Sequence, residues 1–149
     1  MKSLQLRKNK IPYEQIDKGY RKIIELLNKF PFCLTTSCCQ GHSNYIGGGI
    51  WAANAYITLE VEDEKPFLDL FSKIAPDFQK ITGLQLHISK QYYFEEGNIQ
   101  HYIWRLSYWE TDKDPKVLEE WFRKGRKCLE RLIQEYQWRN KVAREETEY

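Results

Sequence analysis

Several things are scarce in this sequence, and each shortage removes a class of protein. Its 149 residues hold no apolar run near the roughly 18 that a membrane span requires. After Met1 the first residues are polar, with Lys2, Arg7, Lys8 and Lys10 among them, so neither a leader nor a membrane anchor is expected and a cytoplasmic setting is. The four cysteines include an adjacent pair, Cys38 and Cys39, which does not suit the disulfide framework of a secreted domain. Reduced thiols are expected instead. The net charge is only +2, so attraction to nucleic acid would have to come from local clustering of basic residues. No repeat, low-complexity tract or Pro/Gly-rich linker divides the chain. One domain over 1–149 is the expectation, large enough to hold its own core.

What is abundant is aromatic side chains, at 15% of residues, together with a concentration of reactive and small residues in one stretch. Residues 32–54 contain three of the four cysteines, His42 and four of the eight glycines. Glycine is a poor filler, because it loses more conformational freedom on folding than any other residue. Its clustering beside thiols and an imidazole marks a candidate site.

Periodicity supplies the frame around that stretch. A basic arm, residues 1–11, is expected to be loose. Ile16, Tyr20, Ile23, Ile24 and Leu27 then recur at helical spacing, predicting a helix over 13–29 that Pro31 ends. Phe32 and Leu34 alternate with Cys33, Thr35 and Ser37, predicting a strand, and a clearer strand covers 55–61. Asp63, Glu64 and Pro66 form a helix entry, and Phe67, Leu70, Phe71 and Ile74 continue it over 64–75, with an end near Pro76. From Gly83 the period is two, broken by a turn at 95–98, which predicts a hairpin. A long helix follows over 115–138, its buried stripe including Leu118, Trp121, Phe122, Leu129, Leu132 and Ile133. A charged tail, 139–149, is expected to fray. The order α-β-β-α-β-β-α predicts an α+β domain with a four-stranded, mainly antiparallel sheet and helices packed on one face.

That geometry sorts the polar residues. With Phe32, Leu34, Ile57, Leu59, Leu84, Leu86, Trp104 and Leu106 turned to the core, the other face receives Cys33, Thr35, Ser37, Tyr56, Thr58, Glu60, His87, Ser89, Arg105 and Ser107. A hydroxyl-rich face beside a cysteine–glycine loop can be a ligand floor. It can also be simply the solvated face of an antiparallel sheet. The sharper expectation is a pocket lined by Ser37, Cys39, Gly41 and His42, closed by the loop of Gly47, Gly48 and Gly49, with Thr35, Thr58, His87 and Arg105 as ligand-binding residues.

Three chemical readings of the motif compete. Cys38, Cys39 and His42 are ligand types that zinc accepts, but a second half-site is missing, and only His87 or His101 could complete one. Cys39 could instead be a nucleophile activated by His42, or Cys38 a small buried hydrophobe. The triple glycine lacks the G-K-S/T ending of a phosphate loop and is better read as a hairpin-like loop or lid. Arg123, Lys124, Arg126, Lys127 and Arg131 could mark a nucleic-acid footprint, although Glu119, Glu120, Glu130 and Glu135 interleave with them as on a solvated helix face. A homodimer through the aromatic surface is compatible with the pattern, though nothing in it requires one.

Residues 35–42, T-T-S-C-C-Q-G-H, resemble the T-T-S-S-C-S-G-R signature of a tRNA-modifying family, the methyltransferases of the third methyl-transfer stage of wybutosine synthesis. Thr35, Thr36, Ser37, Cys39 and Gly41 match. Cys38 and Gln40 replace serines, and His42 replaces an arginine, exchanging a bidentate guanidinium for an imidazole. The resemblance covers about residues 20–61. It implies a similar fold, S-adenosylmethionine as cofactor, tRNA as substrate, and catalytic roles for Ser37, Cys39 and His42. The alternative from the residues alone is a non-enzymatic module binding a metal or small ligand through Cys38, Cys39, Gln40, Gly41 and His42.

Overall fold

A computed structural model describes residues 7–8 and 11–147. Most of the expected basic arm, and the last residues of the tail, lie outside that range. Three helices, α1 (Lys18–Asn28), α2 (Glu64–Thr82) and α3 (Pro115–Thr147), lie on one face of an antiparallel sheet. The sheet has five strands: β1 (Cys33–Cys39), β2 (Asn44–Gly47), β3 (Ile50–Val61), β4 (His87–Glu95) and β5 (Asn98–Asp112). The path is β1-β3-β5-β4, with β2 also paired to β3. The α+β expectation holds, with one correction: there are five strands rather than four. β2 runs along the half of β3 that β1 leaves free, pairing Asn44 with Ala52 while β1 pairs only as far as Tyr56. It escapes a pattern search because all four of its residues are exposed, so it has no buried face to alternate with.

The helix boundaries also shift. Residues 13–15 form a short 3-10 turn, Ile16 is extended, and α1 begins only at Lys18. α2 passes through Pro76 and ends at Gly83, whose φ of 77° admits the left-handed cap. A proline inside a helix leaves the carbonyl four residues back without its donor. Here Pro76 is exposed, so that carbonyl is open to water, while buried Ile74 and Phe78 hold the helix on the sheet. The last carbonyl of α2, that of Thr82, accepts from Trp121 Nε1 at 2.6 Å. α3 continues past residue 138 to Thr147.

One core fills the space between the layers. Tyr20, Ile23 and Leu27 from α1, Phe67, Phe71 and Phe78 from α2, and Leu118, Phe122 and Ile133 from α3 meet Ile57, Leu59, Leu106 and Tyr108 from the sheet. Burying each side chain of this size contributes about 1.5–3 kcal/mol relative to exposure. Tyr20 and Tyr108 join hydroxyls at 2.8 Å within it, which satisfies two polar groups that burial would otherwise orphan.

β1 departs from the expected alternation. Cys33 belongs to the core, and Thr35 bonds Asn28 of α1 twice, through its amide at 3.0 Å and its hydroxyl at 2.7 Å. Leu34 is buried but lies outside the core cluster, opposite Glu60 on the other side of the sheet. The register then jumps: Thr35 faces Leu59, but Ser37 faces Thr58. Thr36 is the extra residue of a β-bulge, and one inserted residue exchanges the faces beyond it. So Cys33 and Thr35 turn to the helices, whereas Ser37 and Cys39 turn away from them. Arg7 and Lys8, expected in a loose arm, are docked on this end of the sheet. Arg7 pairs with Glu60 through both carboxylate oxygens, and Lys8 donates to the Phe30 carbonyl. Burial lowers the pKa of Lys8.

Candidate functional site

Register lines up the predicted residues on the helix-free face. One row crosses the sheet as Ser37, Thr58, Arg105 and Ser89. The next is Cys39, Tyr56, Ser107 and His87. The bulge gives the first row a hydroxyl cluster, because Thr36 and Ser37 both reach Thr58 Oγ1, the former at 2.8 Å. Arg105 lies over the ring of Tyr56, 4.3 Å from its centroid, a cation–π contact that holds the guanidinium flat on the sheet. Ser37, Cys39, Thr58, His87 and Arg105 are thus gathered on one surface. A groove of about 570 Å³ runs along it beside Arg105 and Ser107, with Trp109 and Ile46 among its lining residues.

The other predicted residues lie elsewhere. Thr35 is the tie to α1 described above and does not face the groove. After Cys39 the chain crosses the sheet edge toward α3. Gly41 has φ 87° and is buried; a β-carbon there would sit 2.9 Å from the ring of Phe122. The close approach that glycine permits is therefore to a core aromatic rather than to a ligand. His42 lines a separate cleft of about 410 Å³ with Gln40, Lys116, Glu119, Arg123 and Arg126. Ser43 donates to Glu119 across its edge at 3.1 Å. Cys39 and His42 consequently belong to different surfaces, and the pairing of a thiolate with its base is not built.

Gly47, Gly48 and Gly49 form the tip of the β2–β3 hairpin. Their φ values are 110°, 62° and 77°, and no atom lies within 4 Å of a β-carbon built on any of them. Positive φ at successive turn residues matches the twist of a two-residue hairpin, which accounts for the glycines without a phosphate or a lid.

The thiols are not arranged for metal. Cys38 packs against the core and Cys39 follows it in an extended strand, so the two leave on opposite faces. Among the described residues, no group of three or more His, Cys, Asp or Glu is gathered to hold an ion. Burial, with Asp17 and Cys39 adding to it, pushes the Cys38 thiol up to about 11, and burial pushes Cys33 to about 12. Both are protonated at neutral pH and behave as small hydrophobes. A depression of about 960 Å³ lies among Phe30, Phe32, Glu62, Pro66 and Tyr136, and no residue of 35–42 lines it.

Neither a family model nor a curated protein matches the sequence. Among solved structures, the PH1069 protein from Pyrococcus horikoshii is similar in fold, with a TM-score of 0.53. The match covers 88% of this chain and 92% of that one at 11% sequence identity. Likeness at that identity concerns the fold alone. No helix among the described residues is long and apolar enough to cross a membrane.

Proposed function

We propose that this protein is an S-adenosylmethionine-dependent methyltransferase acting on tRNA, with the helix-free sheet face as the substrate side. The observation that carries the reading is the register itself. The residues that resemble the tRNA-modifying signature, Ser37 and Cys39, share an exposed surface with Thr58, Arg105 and His87. The surface offers hydroxyls, a cation and an aromatic ring to a polar, anionic substrate.

The chemistry of the donor set fits the cofactor beside His42. Lys116 and Arg126 would hold its carboxylate, and Glu119 its ammonium group or ribose hydroxyls, in a cleft that carries both signs of charge. When bound, S-adenosylmethionine would supply an electrophilic methyl group to a nucleophilic atom of the tRNA; its neutral thioether product would need no acid from the protein, and the proton shed by the nucleophile would pass to solvent. What the chain must provide is a path for the accepting nucleotide round the sheet edge at Gln40 and Gly41, where the open face gives way to the cleft, and exclusion of competing water there. Thr58 and Ser37 would hydrogen-bond the nucleotide and Arg105 its phosphate. Zinc, by contrast, does not fit, since Cys38 and Cys39 diverge.

Calorimetry with S-adenosylmethionine, and incubation of the full chain with tRNA and a labelled methyl donor, test the reading. Donor binding with label transferred to tRNA is expected, and loss of both on Arg126→Ala. Donor heats at the level of buffer would overturn it. The second reading is a non-enzymatic module that uses the charged cleft next to His42 to bind a small zwitterion. It is favoured by the separation of that cleft from Cys39, and ligand binding without turnover would select it.

A further inference from the structure

The groove on the helix-free face has a chemistry of its own. Its floor is Asn54, Ser107 and Arg105, with Ser89 and Gln91 from β4 on one side and Trp109 at one end. Asn44 and Ile46 of β2 complete the opposite wall. None of its lining residues is acidic. Arg105 is stacked on Tyr56 and makes no hydrogen bond or ion pair among the described residues, so its donors stay free. The nearest carboxylate along β3 on that face, Glu60, is already occupied by Arg7. Trp109 stands with 59% of its surface exposed at the end of the groove, so its ring is open to a stacking partner.

A free guanidinium, an exposed indole, three primary amides and two hydroxyls line the groove without an acid. That combination is complementary to a phosphate joined to a flat, hydrogen-bonding ring. An aliphatic peptide would leave the guanidinium without a counter-charge and the indole without a flat partner, and an acidic peptide would not use the indole. We infer that this groove takes an unpaired nucleotide of single-stranded RNA, its base stacked on Trp109, its base edge met by Asn54, which the register sets opposite that tryptophan, and its phosphate paired with Arg105. The volume, about 570 Å³, lies in the range of small-molecule sites and leaves room for one nucleotide with its flanking phosphate. The inference deepens the proposed function, since it rests on RNA being the substrate, and it names where that RNA is gripped. An open antiparallel sheet with a stacking aromatic is a physically sufficient RNA platform, because every base presents a π-face and the backbone supplies the charge.

The test uses the full chain and a fluorescein-labelled 12-nucleotide RNA of mixed sequence, single-stranded or annealed to its complement. Anisotropy is expected to give binding of the single strand, weaker binding of the duplex, and quenching of tryptophan emission on addition of RNA. Trp109→Ala should weaken the single strand roughly ten- to hundredfold, the range that one stacked base supplies. Arg105→Ala should also weaken it and lower the salt dependence by about one phosphate contact. Trp138→Ala, a substitution of an exposed indole on α3, should leave the affinity unchanged. Circular dichroism melting of each variant keeps a folding defect from passing as a binding defect. Absence of single-strand binding by the wild type, or equal affinity of Trp109→Ala and wild type, overturns the inference. So does a preference for duplex, or for an aromatic-rich peptide over the RNA. Donor calorimetry run in parallel separates this from the enzymatic reading. Donor binding with an unaltered Trp109→Ala affinity sinks the groove and spares the methyltransferase. Groove-dependent RNA binding without donor heats does the reverse.

Discussion

The two faces of the sheet are made from alternate residues of the same strands, yet they obey different rules. On the helix side, Leu59, Tyr108 and Ala55 are essentially without exposure, and Tyr20 pairs with Tyr108 and Thr35 with Asn28, although the buried Trp104 indole N–H has no partner among the described residues. On the other side, Ser37, Thr58, Arg105 and Ser107 contact one another or stand free, and no helix covers them. A buried side chain is fixed by shape, so its replacement leaves a cavity. An exposed one is fixed by little besides its own hydrogen bonds. Where such a face still concentrates hydroxyls, a cation and an indole around a groove, stability does not account for their arrangement. Binding can.

The contrast can be broken first at its strongest point. Phe67 is fully buried and packs edge-on against Phe71 and Trp104, so Phe67→Ala should lower unfolding free energy by about 3–5 kcal/mol in urea titration. A loss under 1 kcal/mol would mean that the helix side is not a packed core. Next comes Gly41→Ala, which combines positive φ with a β-carbon 2.9 Å from Phe122 and should cost about 2–4 kcal/mol. Gly48→Ala has the same backbone problem but empty space around it, and about 1–2 kcal/mol is expected. If the two glycines cost the same, Gly41 is not packed as described.

Alkali should act on the helix side alone. Burial raises Cys33 from 9.0 to about 12 and Tyr108 from 10.0 to about 12. Each group is therefore neutral in the folded protein over a window in which the unfolded chain already ionises. The stability it contributes is complete below about pH 9 and is lost as pH rises toward 12, at about 1.4 kcal/mol per pH unit for each group fully in its window. Denaturant midpoints measured from pH 8 to 11 should fall steadily, and Cys33→Ala should flatten the first part of that fall. A flat profile would show both groups to be solvated. The smallest effect is expected from Thr58→Val, which removes a hydroxyl from the open face while keeping the β-branched shape. Melting should move by the equivalent of about 0.5 kcal/mol or less. A larger loss would make the hydroxyl cluster structural and weaken its reading as part of a site.

Which features the sequence disclosed follows from where the signal comes from. The β4–β5 hairpin was legible because period-two alternation is interrupted by Glu96 and Gly97, both at positive φ, 53° and 81°. The open-face members Thr58, His87, Arg105 and Ser107 were legible because their strands keep an unbroken register through that region. β1 was not, because a bulge at Thr36 is a decision taken by the partner strand and leaves no mark in the local alternation. Local alternation puts Thr35 on the face of Ser37, and the bulge turns it to the helices instead. Gly41 and His42 leave the open face because the chain turns under Phe122, a residue about 80 positions later, and a contact of that separation is invisible to a local pattern. Trp109 and Tyr56 carried the weakest signal of all. Each reads as an ordinary strand aromatic until the fold stacks Arg105 on Tyr56 and brings Trp109 into the same groove.

The last helix has a consequence for how the protein is made. Leu118, Phe122, Leu129 and Ile133 of α3 close the core against both other helices and against β3 and β5. On a ribosome they emerge after all five strands, so the sheet is complete while part of its apolar side is still bare. Until then Ile57, Leu59, Leu106 and Tyr108 have only α1 and α2 to shelter them, and the nascent chain passes through an interval of exposed apolar strand surface of the kind chaperones engage. A chain stalled at residue 114 should be protease-sensitive and prone to self-association, and release of the remaining residues should abolish both together.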